Sequence, residues 1–248
     1  MVEKAGRSGT HWLVMCQGVL LAGIIFCLAG LRYAFLPWRT ALIFVAITSL
    51  VMAGIGFFSL LFVYMQFKRG TPAGGRGSFL AVALSLLPVM AILILGVKSK
   101  GVPPINDITT DTVNPPAFTV LAQARQPGEN SAQYDGQVVA EQQAAAYPDI
   151  MPLVSKKATD AVYAACLKAV QEKGWEIAGQ APGKGRIEAV STTSLFRFKD
   201  DVVIRVAATA AGSRVDIRSA SRVGVSDFGK NAARVKDFLQ IVEKDLAQ

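Results

Sequence analysis

Histidine is nearly absent. The 248-residue chain holds one, His11, at the edge of an apolar run. The water-facing part of the chain therefore has none, which excludes Ser-His-Asp and Cys-His catalysis and a HExxH zinc site there. Cysteine is scarce as well. Cys16, Cys27 and Cys166 are odd in number and lack metal or redox spacing, which argues against a disulfide framework. Charge is missing altogether from residues 12–31, 41–66 and 79–97. About 20 helical residues cross a bilayer core of about 30 Å, and each run is long enough or nearly so. Three in succession leave no polar face for water, which sets aside buried soluble helices.

What charge there is sits unevenly. The net value is +8, of which residues 1–97 contribute +6 and residues 98–248 only +2. The basic excess flanks the apolar runs, where Lys and Arg anchor helices. The water-facing part is nearly balanced, so nucleic acid loses its electrostatic argument as a partner. Lys4, Arg7, Lys68, Arg69 and Arg76 would lie on one side of a three-span anchor, and Arg32, Arg39, Lys98 and Lys100 on the other. Five against four favours a cytoplasmic N-terminus and an external C-terminal domain. The first run exceeds a signal-peptide core of about 7–15 residues and reads as an uncleaved helix. Ile25-Phe26-Cys27-Leu28 lacks the small residues of a lipidation site. The basic loop at 67–78 is rich in glycine but has no nucleotide-loop spacing, and reads as a flexible connector. Pro88 predicts a kink in the third helix.

Three regions follow from this: an anchor at 1–98 (helices about 12–31, 41–66 and 79–97), a Pro-rich then Gln/Ala-rich segment at 99–150, and a soluble domain at 151–248. Two Pro-Pro pairs make residues 101–118 extended. Residues 122–143 read as a mobile surface stretch, with a short helix at 138–146. Ala158, Val162, Ala165, Cys166, Ala169 and Val170 repeat at helical spacing after Ser155. Strands are expected at 175–179, 186–198, 202–208 and 214–218. Lys199-Asp200-Asp201 is expected as the hairpin turn, with Val202, Ile204, Val206 and Ala208 facing inward. A last helix capped by Ser226 or Asp227 presents Ala232, Val235, Phe238, Leu239, Val242 and Leu246 as one stripe. Helix, four mainly antiparallel strands, helix is an α+β two-layer sandwich.

Polar groups crowd the junction between the last strand and the last helix. Arg205 and Arg218 fall on the sheet face away from the helices, and Arg222 falls in the turn. Asp227, Asn231 and Arg234 lie along the start of the helix. Two physical readings stand. In one, the helix N-terminus and the guanidinium groups of Arg205, Arg218, Arg222 and Arg234 hold an anionic ligand, with Asp227 and Asn231 beside it. In the other, Asp107, Asp111, Asp216, Ser219 and Ser221 join those arginines in a structural joint. No metal site, cofactor or catalytic residue is expected. Gly224-Val225-Ser226-Asp227-Phe228-Gly229 misses the nucleophile-elbow spacing.

Pro103-Pro104-Ile105-Asn106-Asp107-Ile108-Thr109-Thr110-Asp111, Tyr147-Pro148, Phe198-Lys199-Asp200-Asp201 with Arg205, and Asp216-Ile217-Arg218-Ser219 through Arg234 resemble the bacterial and plastid family called domain of unknown function 1499. The resemblance covers about residues 101–246. It implies an envelope protein, since relatives carry this domain behind membrane helices, lipoprotein signals or plastid-targeting segments. It supplies no activity, substrate, cofactor or catalytic residue. The expectation is therefore a multi-pass inner-membrane protein with a periplasmic domain. Its partners would be membrane lipids and an anionic lipid, glycan or envelope protein. A carboxylate-dependent enzyme and a structural subunit of a membrane complex are the alternatives. Sequence leaves the oligomeric state open.

Overall fold

The computed structural model describes residues 2–70 and 75–248. Residues 71–74, part of the glycine-rich basic loop, lie outside the described residues. Two compact units make up the chain: Met1–Lys98 with Leu195–Arg197, and Ser99–Ser194 with Phe198–Gln248.

The first unit holds three helices, α1 (Val2–Arg32), α2 (Trp38–Lys68) and α3 (Gly75–Lys98). Their stretches His11–Arg32, Trp38–Lys68 and Gly77–Val97 are long and apolar enough to cross a membrane. Each helix overruns its uncharged run, because flanking polar residues continue the same backbone ladder. α3 passes through Pro88 as a single helix. Arg32 stacks on Tyr33 and Arg39 on Trp38 in and beside the first loop, at 5.8 and 5.2 Å from the ring centres. Aromatic and basic residues of this kind favour a membrane–water boundary. Among the described residues, the Gln17 side chain ties the helices to one another. Gln17 is fully buried, and its Nε2 donates to the carbonyls of Met52 (3.0 Å) and Ala81 (3.3 Å), linking all three helices.

The second unit is an antiparallel sheet with β1 (Asp107–Thr109), β2 (Leu153–Ser155), β3 (Glu176–Ala181), β4 (Arg186–Thr192), β5 (Lys199–Thr209) and β6 (Gly212–Ser221). The order is β1-β6-β5-β4-β3, and β2 also pairs with β6. Thus β1 and β2 lie in line along one edge of β6, opposite residues 218–220 and 213–215. Thr110 fills the gap between them, exchanging hydrogen bonds with the Ile217 backbone. Val and Ile alternate in β5 and β6 at the two-residue period that gives a strand two distinct faces. Val202, Ile204, Val206, Val215 and Ile217 meet α6 (Thr159–Glu172) and α7 (Lys230–Leu246). Cys166, Val170, Val235, Phe238 and Val242 fill that layer, and Trp175 stacks on Phe238 at 5.7 Å. The result is the expected α+β sandwich.

The other face of the sheet is covered too. Residues 110–135, with α4 (Val120–Ala124), lie across it and bury Phe118 and Leu121 on Val190, Val203 and Ala220. The face away from the helices, which a two-layer sandwich leaves uncovered, therefore holds a second core, and the stretch expected to be mobile supplies part of it. α5 (Gln137–Ala146) follows. Gln143 is buried and pairs with both backbone groups of Thr109, at 3.0 and 2.6 Å, closing the free edge of β1. Sequence composition hid this, because amide side chains read as solvent-facing until a strand edge is placed beside them.

Two further expectations need correction. Lys199, Asp200 and Asp201 are not a turn but the start of β5, opposite Thr192, Ser191 and Val190. The loop lies at 193–198, closed by the Thr193 and Phe198 backbones at 2.8 Å. Aspartates favour turns because water solvates them, whereas these two are buried against arginines. Ala208, expected inward, is exposed because it lies past the helices at the β5–β6 hairpin.

Candidate functional site

The strand alternation puts Glu188 of β4, Asp201 and Arg205 of β5, and Arg214, Asp216 and Arg218 of β6 on the face that residues 110–135 cover. So many charges under a lid fold only if they neutralise and hydrogen-bond each other, because an unpaired buried charge is prohibitively costly.

Arg218 is 2% exposed. It grips Asp107 with two parallel bonds, Nε to Oδ1 at 2.9 Å and Nη2 to Oδ2 at 2.7 Å. Its remaining donors reach the carbonyls of Pro116 and Ala132 at 3.3 and 3.0 Å. Its plane lies over Phe118 at 4.7 Å and Tyr134 at 5.5 Å from the ring centres. Loss of water pushes the Asp107 carboxyl above its usual range, and the hydrogen bonds and charge of Arg218 oppose that push.

Asp201 is enclosed between two arginines, Arg222 Nε at 2.8 Å and Arg125 Nε at 2.9 Å. Burial again pushes its carboxyl up, against both cations. Arg125 also donates to the carbonyls of Asn130 and Ser131, at 2.8 and 2.6 Å, so it ties the covering segment to the sheet. Asn130 in turn donates to Ser221 and Gly224.

At the other end of β6, Asp111 and Asp216 share Arg205 and Arg214. Every carboxylate oxygen there accepts at least two donors. Asp216 takes the Nε and Nη2 of both arginines, and Asp111 Oδ1 takes the backbone N–H groups of Val113 and Asn114. Two carboxylates thus converge, but with their lone pairs committed. Glu188 plays a different part. Its two oxygens accept the N–H groups of Thr119 and Leu121 at 2.8 and 2.9 Å, and so cap α4 from the sheet.

On the helix-facing side, at the start of α7, Arg234 pairs with Asp200 at 2.6 Å and donates to Ser219 at 3.0 Å. Asn231 is buried and bonds Ser219, Ser221 and the carbonyl of Asn106. Asp227 precedes the helix, which begins at Lys230, with Gly229 in the capping position at φ 77°. Its carboxylate nevertheless accepts the N–H groups of Gly229, at 2.9 Å, and Asn231. The helix end proposed for an anion is occupied by the chain's own carboxylate. Burial pushes Asp227 up, while those two N–H bonds pull it down.

The eleven residues named from sequence therefore do not gather at one point. Arg218 and Asp107 form one cluster, Arg222 a second with Asp201, and Arg205, Asp111 and Asp216 a third. Asp227, Asn231, Arg234, Ser219 and Ser221 form the fourth. Sequence reasoning passed over Arg125, Asn130, Gln143 and Glu188. Arg125 is the only cation between residues 101 and 155, which was the one available signal. Among the described residues, no group of three His, Cys, Asp or Glu is placed to hold a metal ion.

Comparison with known proteins adds a family. The profile of the family described as Protein of unknown function (DUF1499) matches residues 107–242. That span contains all four clusters, with Asp107 at its start. No curated protein matches the chain.

Proposed function

The chain belongs to the DUF1499 family, and from that premise we propose that it is a membrane-anchored interaction protein of the bacterial envelope. Three apolar helices hold it in the inner membrane, and the α+β unit is presented on the periplasmic side. The observation that carries this reading is the joining of a three-helix anchor to a domain whose charged groups bind one another. The guanidinium groups of Arg218 and Arg222 face carboxylates under cover, so the work of the joint is to hold residues 101–135 and α7 on the sheet. Recognition then belongs to the outer surface of the unit, toward a lipid, glycan or protein partner.

The carboxylate-dependent enzyme loses ground on geometry. Asp111 and Asp216 do meet, but each oxygen already accepts two donors, which leaves none to take a proton from a substrate. Asp107 and Asp227 belong to other clusters.

Topology is tested by C-terminal fusions to alkaline phosphatase and to a fluorescent protein that matures only in the cytoplasm. The proposal expects an active phosphatase and a dark fluorescent protein. The reverse pattern overturns the periplasmic assignment. For the joint, a ligand site would let Arg222→Ala stay folded and lose binding, whereas the structural reading expects it to lower the melting temperature.

A further inference from the structure

The loop between β6 and α7 differs from the rest of the joint. Most polar side chains around it are tied down, yet Val225 and Phe228 point outward, 80% and 50% exposed. Phe228 also has φ 54°, in the left-handed region that favours glycine. A strained backbone that turns an aromatic ring into water is stable only when something else gains from it, and such strain gathers at functional segments.

The path of the chain says what lies nearby. Lys98 ends α3, and Val102 follows it by four residues. The Val102 N–H donates to the Ser99 carbonyl at 3.1 Å, so residues 99–102 form a tight turn. A turn of this kind keeps its ends within about 7 Å. Val102 then packs near Gly229, where a Cβ on the glycine would stand 4.0 Å from its Cγ1. Asn106 reinforces the link by donating to the carbonyl of Gly224. The loop is therefore fastened to the first residues after the apolar run. Exposed Lys100 and Lys230 flank it, and its one acid, Asp227, is turned inward to cap α7.

We propose that Val225 and Phe228 enter the headgroup–acyl boundary of the bilayer that holds the anchor, with Lys100 and Lys230 on anionic headgroups. Apolar and aromatic side chains ringed by lysine fit that boundary, whose polar zone is about 5–8 Å thick on each side. This rests on the membrane-anchored reading and adds a second, surface contact to it. The contact orients the domain and sets which face remains for a partner.

The test uses the full chain in lipid nanodiscs, with Cys16→Ser and Cys27→Ala and the buried Cys166 retained. An environment-sensitive fluorophore is attached at Val225→Cys or Phe228→Cys. Val113→Cys serves as control, because Val113 is 94% exposed and adjoins Asp111, which pairs with Arg214 at the far end of β6. The seven steps along the strand from Arg214 to Ser221 separate the two ends by about 23 Å. In discs of phosphatidylcholine with phosphatidylglycerol, labels at 225 and 228 should emit further to the blue than at 113. A lipid nitroxide near the top of the acyl chain should quench them several-fold more strongly. Lys230→Glu should remove the part of that quenching that depends on phosphatidylglycerol. Labels at 225 and 228 as open to aqueous iodide as the label at 113 would overturn the proposal. Shielding in native membranes but not in pure-lipid discs would also overturn it, in favour of a protein partner. Discs expose both faces, so the periplasmic assignment can fail without touching this result. A chain that does not enter discs at all would overturn the anchored reading and this one together.

Discussion

Arg218 makes more of the fold depend on it than any other single side chain described. It satisfies Asp107 of β1, two carbonyls of the covering segment and two aromatic rings. Arg218→Met keeps the length and removes the charge, leaving Asp107 buried and unpaired. The expected loss is about 3–5 kcal/mol. The double variant with Asp107→Leu should recover most of it, since an apolar pair of similar volume often replaces a buried ion pair without cost. Urea unfolding of the two single variants and the double variant measures the coupling, and a loss below about 1 kcal/mol for Arg218→Met would refute the joint. Cys166 offers a second test at this scale. Burial pushes its thiol up to about 12, and burial with the nearby Asp107 charge pushes Tyr134 up to about 12. In the unfolded chain both lose protons earlier, near their ordinary values of 9.0 and 10.0. The unfolded state then binds fewer protons than the native one at these two groups, so their contribution to stability is fully present below pH 9 and is lost as pH rises from 9 through 12. Cys166→Ala should flatten the first part of that decline, and an unchanged slope in urea midpoints from pH 9 to 11 would contradict it.

At the scale of elements, two devices stand in for features that local sequence does not supply. β1 is a three-residue edge strand, too short to hold by its own ladder, and the Gln143 side chain acts as its missing neighbour. Gln143→Ala should speed amide exchange at Thr109 and cost about 1–3 kcal/mol, because two buried backbone groups lose their partner. Exchange at Thr109 unchanged from wild type would show that water replaces the amide. α7 begins without a side-chain cap at Gly229, and Asp227 supplies the acceptors from two residues before it. Asp227→Asn keeps an acceptor and should melt within a few degrees of wild type at neutral pH. Asp227→Ala should cost about 0.5–2 kcal/mol. The raised Asp227 carboxyl adds a sign to this. Its contribution is fully present below the ordinary 3.8 and is lost as pH rises through the higher folded value. Asp227→Asn should therefore lack that part of the decline, measured by urea titration from pH 3.5 to 6.

At the scale of the whole molecule, each unit has its own interior. The α+β unit has a helix-side core and a second core under residues 110–135, and the three-helix unit has a separate cluster around Cys27, Leu31 and Ala41. We expect residues 99–248, expressed without the helices, to unfold in one cooperative step at a melting point close to that of the same unit in the full chain. Removing residues 99–118 as well should abolish folding, because Asp107, Asp111 and Phe118 go with them. Calorimetry of the two fragments decides this, and a cooperative melt of residues 119–248 would contradict the role given to the covering segment.

Periodicity and length determined most of what local physics can determine. Uncharged runs gave the three helices, alternating Val and Ile gave β5 and β6, and the stripe from Ala232 to Leu246 gave α7, because each pattern repeats at the period of its own backbone. Tertiary structure alone decided where charge is buried. Asp200 and Asp201 look like a turn until Arg234, Arg222 and Arg125 are brought to them from elsewhere in the chain. Residues 122–143 look mobile until a charged sheet face needs a cover. The cost of burying a carboxylate depends on its partner, and a partner distant in sequence leaves no periodic trace.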